Sequence, residues 1–189
     1  YFPKQLFGEN GGPGGFFHAL RIVPPILDIC EDITKICPSA FFVNYSNPMS
    51  RICLAIKRKF PDLRFVGLCH EIYFAEVILP LLMRTKLSNI LIKAGGLNHF
   101  GVVLEAKYKD TGEDGYPAIR KRWKWIYNLI RWPLDYDLTN YILKNYGYLP
   151  YTSDSHYGEY LEWGREVADV KGVKHFKKVY KWHLNRNNR

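Results

Sequence analysis

Two short apolar runs, "AFFVNYSNPM" (Ala40 to Met49) and "LRFVGLCH" (Leu63 to His70), lie on either side of a segment with helical patterning, "RICLAIKRKF", which Ser50 opens. A continuous apolar run bounded by turn residues suits a strand buried on both faces, as in a parallel sheet. Strand, helix and strand within about 30 residues make a βαβ unit, which commits this part of the chain to the α/β class. In open α/β sheets, ligands bind beyond the carboxyl ends of the strands. The first such end here carries Asn44, Ser46 and Asn47, and the second carries Cys69, His70 and Glu71. A cleft is therefore expected where a thiol, an imidazole and a carboxylate follow one another.

Ahead of this unit, the glycine-dense "GENGGPGGFF" (Gly8 to Phe17) reads as a loop preceding a helix from about His18 to Ile36. Such a loop lets backbone amides approach an anion at the helix N-terminus, or it is a turn without a ligand. It matches neither G-x-G-x-x-G nor a Walker A loop. Beyond the unit, helical spacing runs from Tyr73 to Arg84. The stretch "NILIKAGGLNHFGVVLEAKY" then predicts two strands flanking a Gly-Gly-Leu-Asn-His turn, with Asn98 and His99 at another strand end. The remainder is rich in Trp and Tyr and mostly helical in pattern, with a loop at "GYLPYTSDSHYGEY".

At 189 residues the chain suffices for one well-cored domain or two small ones, and 47% hydrophobic with 24% charged residues is the balance of a globular protein. Its net charge of +9 raises nucleic acid or a membrane surface as partners. The basic residues are spread along the chain, however, with only local concentrations at "IKRKF" and "IRKRWKW". Spread charges read as solvated faces. Cys30, Cys37, Cys53 and Cys69 form no CxxC pair and no zinc-site spacing, so reduced thiols in a cytoplasmic setting are expected. No apolar run reaches the ~20 residues of a spanning helix. The sequence starts at Tyr1 and ends in the polar "WHLNRNNR", which suggests part of a longer chain.

Among the histidines, His18, His175 and His183 lie in helical or basic surroundings and read as structural or surface groups. His70, His99 and His156 sit in polar turns instead. Cys69 and His99 would both emerge from strand ends, and a thiolate with an imidazole can anchor a divalent transition metal while leaving positions open for substrate oxygens. The competing reading of Cys69 is a buried free cysteine.

Taken in order and at these separations, "NYSNP", "VGLCHE", "GLNHF" and "SDSHYGEY" resemble the glycoside hydrolases of family 4. "GLNHFGVVLEAKYKDTGEDGYPAIR" is most similar to the α-glucosidase and α-uronidase branches. The resemblance implies residues 1–66 as the C-terminal part of a Rossmann-type NAD-binding domain and 67–189 as an α+β catalytic domain. It also implies cleavage of an α-glycoside by oxidation of the sugar C3 hydroxyl with NAD+, proton loss at C2, metal-assisted elimination, addition of water and return of the hydride. On these motifs Cys69 and His99 match the metal ligands, usually for Mn2+. Asn47 lies between cofactor and sugar, Asn98 lines the substrate, and Asp154 takes the place of the C2 base, which other branches fill with tyrosine. His70 stands where the 6-phosphoglycosidase branch has an aspartic acid that protonates the leaving group, so the resemblance makes it catalytic or substrate-binding. A homodimer is a further implication.

The dinucleotide-binding turn of such a fold is not found in this sequence, so the cofactor half is expected on a further stretch of chain or another polypeptide. Arg120 and Arg122 are available to grip a uronate carboxylate, but read as surface charges on a helix. Two competing readings are a 2-hydroxy-acid dehydrogenase of the same superfamily and a basic nucleic-acid module built on "IRKRWKWIYNLIRW". In that segment Trp125, Leu129 and Trp132 fall on one helical stripe, which predicts core packing.

Overall fold

The structure is a computed structural model that describes residues 12–130, 136–164 and 167. The two apolar runs form β1 (Phe42–Asn44) and β2 (Phe65–Gly67). They pair in parallel, Phe42 opposite Phe65 and Asn44 opposite Gly67, and are joined across α2 (Met49–Lys59). The expected βαβ unit is thus present. Its strands are not buried on both faces: Phe42 and Phe65 pack into a cluster around Cys30, Ile52 and Ile56, while Val43 is exposed. The reason is the pleat, which turns alternate residues to opposite sides, with α2 and the long α1 (Gly12–Ile36) closing the Phe42 side.

Helix α1 starts earlier than His18. Gly12, with φ 63°, leads into it, and Pro13 tolerates the first turn because that turn's N–H groups have no helical partner. Glycines 14 and 15 are therefore helical and form no anion loop, while residues 8–11 lie outside the described residues.

Past β2 the chain makes one 3-10 turn (His70–Ile72) and enters α3 (Tyr73–Met83), which Arg84 ends in the left-handed conformation. The predicted hairpin follows as β3 (Ile90–Leu97) and β4 (Phe100–Tyr108), with Leu97 paired to Phe100 so that only Asn98 and His99 turn the corner. A short β5 (Leu149–Pro150) extends this antiparallel sheet alongside Val102 and Val103. Helices α4 (Tyr116–Ile130) and α5 (Asp137–Tyr146) pack with α3 around it, sharing a core that includes Leu79, Leu82, Val103, Ile119 and Leu149. A last four-residue helix, α6 (Asp154–Tyr157), closes against β4. The residues of this core and those of the Cys30 cluster do not overlap.

The stripe expected on α4 is on the wrong face. Trp125 and Leu129 are 79% and 80% exposed, whereas Trp123 is 3% exposed and donates its indole N–H to Asn140 Oδ1 at 3.1 Å. Two residues along a helix turn through about 200°, so a stripe through Trp123 and Ile119 necessarily points Trp125 outward. Trp132 lies outside the described residues. Arg120 and Arg122 are also more than surface charges. Arg122 donates to Leu82 C=O at 2.6 Å near the end of α3, and Arg120 donates to Gly147 C=O at 3.2 Å while lying over the Tyr116 ring.

Candidate active site

Strand β2 ends at Gly67, and two residues on Cys69 takes extended backbone (φ −137°, ψ 146°) at the head of the 3-10 turn. That geometry swings its thiol off the strand line, and puts Glu71 on the turn itself. The other wall is the hairpin corner, where His99 adopts φ 64°, a conformation L-residues rarely take outside tight turns. The corner lies directly on the 3-10 turn: Cys69 Sγ is 3.3 Å from His99 Nε2, and Glu71 Oε2 is 3.9 Å from the same nitrogen. The three donor atoms all lie within 4.8 Å of one another. Thiolate, imidazole and carboxylate at such separations can share one divalent ion.

Electrostatics suit the same task. His99 is buried, and desolvation, with smaller contributions from His156 and His70, lowers its pKa to about 4. A neutral imidazole offers a lone pair. Burial raises the Glu71 carboxyl above its ordinary value, against the opposing pull of its hydrogen bonds from His99 and Asn98. Tyr151 is pushed up to about 12, first by burial and then by the Glu71 charge, so its phenol keeps its proton at neutral pH.

Cys69, Glu71 and Tyr151 border a cavity of about 280 Å³, lined also by Met49, Asn98 and residues 94–97, and His99 lies behind Cys69 at 3.3 Å. The shape depends on Gly101, where an added Cβ would meet the Tyr151 hydroxyl at 2.0 Å. A larger cavity of about 360 Å³, bordered by Lys107, Arg120 and Tyr148, has no thiol in its lining, so chemistry and not size singles out the first.

Of the residues expected at the site, Cys69, His99 and Asn98 come together. Asn98 donates its Nδ2 to Glu71 Oε1 at 3.2 Å, and its Oδ1 is the one buried side-chain polar atom without a hydrogen-bond partner among the described residues. Asn47 caps the start of α2, its Oδ1 accepting the Met49 N–H at 3.2 Å, and precedes Pro48 through a cis peptide bond. Met49 lines the cavity and Asn47 does not. His70 is exposed and outside the lining, close enough for its charge to act on Glu71 and His99.

Asp154 is not among the residues that line the cavity. Its carboxylate is 0% exposed and caps α5, Oδ2 accepting the Leu138 N–H at 2.6 Å and Oδ1 accepting the Thr139 N–H at 2.9 Å and the Thr139 hydroxyl at 2.6 Å. A carboxylate that accepts from two first-turn N–H groups is an effective cap. His175 and His183 lie outside the described residues.

Two further groups were not assigned from sequence. Glu71 is visible there only as a carboxylate near Cys69, and its partners lie 27 and 28 residues away. His156 stacks on His99 with ring centroids 4.4 Å apart and reaches Glu159 Oε1 through Nδ1 at 3.1 Å. Its place in "SDSHYGEY", a polar turn with a carboxylate three residues on, was the available signal.

Fold and cluster define a chain in which a parallel α/β unit meets an α+β unit, with a transition-metal donor set at the junction. The chain belongs to glycosyl hydrolase family 4: the model described as "Family 4 glycosyl hydrolase" matches residues 4–83, and that of the "Family 4 glycosyl hydrolase C-terminal domain" matches residues 94–188. It is 42% identical to an alpha-glucosidase of Erwinia rhapontici over 97% of this chain and 48% of that protein. It is 32% identical to an alpha-galactosidase of Bacillus subtilis (strain 168) over 85% of this chain and 36% of that protein. Among solved structures it is similar to a 6-phospho-alpha-glucosidase from gut microorganisms in complex with NAD and Mn2+, with a TM-score of 0.70, 23% identity, and coverage of 96% of this chain and 46% of that one. The chain spans less than half the length of these two curated relatives. Family membership sets aside the dehydrogenase and nucleic-acid readings.

Proposed function

We propose that this chain supplies the metal- and sugar-binding part of an α-glycosidase that works with NAD+ and a divalent metal such as Mn2+. The observation that carries the reading is the thiol and neutral imidazole 3.3 Å apart beside a cavity, with an unpartnered buried acceptor on Asn98 next to them. Cys69 and His99 would hold the metal. When bound, the metal supplies Lewis-acid polarisation of sugar oxygens, and NAD+ supplies reversible hydride acceptance. The chain's own groups do the rest. Asn98 Oδ1 accepts a sugar hydroxyl, an interaction that would relieve the cost of an unsatisfied buried acceptor. Tyr151, protonated, donates toward the cavity it lines. His70 is the candidate for holding a hydroxyl or passing a proton to the leaving group. Asn47, at the carboxyl end of β1, stands between the cofactor side and the sugar side.

Arg120 and Arg122 bond to backbone carbonyls. Similarity to an alpha-glucosidase at 42% identity supports an α-glucoside as substrate over an α-galacturonide or glucuronide. The four free cysteines fit a cytoplasmic enzyme, and a homodimer is the assembly proposed. Among the described residues no helix is long and apolar enough to cross a membrane.

The test is cleavage of an aryl α-glucoside in D2O by the chain together with the dinucleotide-binding half that completes a family-4 enzyme. Turnover that needs both NAD+ and Mn2+, with deuterium entering the product at C2, is the expected result. Turnover without NAD+, or product free of deuterium, overturns the proposal.

A further inference from the structure

Glu71 lies on the turn that follows β2, and both of its carboxylate oxygens reach across to the hairpin corner. It sits two residues after Cys69 on the 3-10 turn, and its Oε2 accepts the backbone N–H of His99 at 2.6 Å. Its Oε1 accepts the Asn98 amide at 3.2 Å. One carboxylate thus spans the two residues of the hairpin corner, including the one whose φ of 64° needs outside support. It is largely buried, so both bonds are charge-assisted and poorly screened.

We infer that Glu71 is a positioning residue that clamps the Asn98–His99 corner onto Cys69, and so sets the distance between the two metal donors. The inference rests on the reading of Cys69 and His99 as those donors. It goes further in giving the third member of the cluster, the Glu71 carboxylate, a role through His99 and not on the ion. Because the Glu71 carboxylate only accepts, it also fixes which end of the Asn98 amide faces it: Nδ2 is engaged, and Oδ1 is left as the acceptor without a partner. Loss of groups that orient metal ligands typically weakens metal binding by about 10- to 100-fold.

Glu71→Ala and Glu71→Gln separate clamp from ligand, because Gln keeps a neutral acceptor for the His99 N–H but is a poor metal donor. Two readouts on the whole chain are used: Mn2+ affinity by calorimetry, and the His99 backbone amide proton resonance in the metal-free state, which a short bond to a carboxylate displaces downfield. The expected result is an upfield move of that resonance in Glu71→Ala with Mn2+ affinity down about 10- to 100-fold, and recovery of most of the affinity in Glu71→Gln. The proposal is overturned if Glu71→Ala leaves both readouts unchanged. It is equally overturned if Glu71→Gln binds Mn2+ as weakly as Glu71→Ala, since Glu71 is then a ligand. Failure of the underlying site reading is distinct and takes this inference with it: the native chain itself then binds no Mn2+.

Discussion

At the residue scale, His99 concentrates most of the physics. Its imidazole is buried between Cys69 and His156, and its pKa falls from 6.5 to about 4. The unfolded chain therefore takes up a proton between these values that the folded chain refuses. Stability falls as pH falls through that window, by about 3 kcal/mol in all. Glu71 acts with the opposite sign, because its folded pKa is raised: its contribution is complete below its ordinary value of 4.5 and is lost as pH rises through the folded value. Comparing the native chain with His99→Gln isolates the imidazole. Urea unfolding of the metal-free proteins should show a loss of stability from pH 6.5 down to about 4 that is steeper in the native chain than in the variant. Parallel profiles would contradict the assignment of the shift to burial of this ring.

At the element scale, one carboxylate joins α5 to α6. Asp154, the first residue of α6, satisfies two N–H groups in the first turn of α5 from 15 and 16 residues away. Asp154→Ala should therefore cost about 3 kcal/mol, seen as a lower urea midpoint, by stripping a cap and leaving buried donors unmet. A variant as stable as the native chain would instead return Asp154 to a purely chemical role. This element also shows where the sequence stops being legible. The βαβ unit and the hairpin could be read because apolar runs, breakers and paired glycines are local signals. Cys69 and His99 could be read because strand ends place them. The cap by Asp154, the clamp by Glu71 and the buried face of α4 could not, because each is decided by a partner distant in sequence. Trp123 and Trp125 are equivalent by hydropathy, and the first is the buried one because of partners elsewhere in the chain, the α3–sheet core, Tyr136 and Asn140, the last 17 residues on.

At the scale of the molecule, one core lies under β1 and β2 and another under the β3–β4–β5 sheet, and the proposed metal donors come from the chain between them and from the hairpin corner. Cys69 follows β2 directly, while His99 depends on the second core for its position. A shared ion would bind only when both are folded and in register. It would then stabilise the whole assembly by mass action, about 2.7 kcal/mol at one hundred times its dissociation constant. The most direct measurement is a Mn2+ titration of the purified chain beside Cys69→Ser and His99→Ala, followed by calorimetry and by thermal unfolding. Saturable binding to the native chain with a rise in melting temperature, and loss of both in each variant, is the expected result. Native binding no tighter than that of the variants would contradict a metal centre at Cys69 and His99.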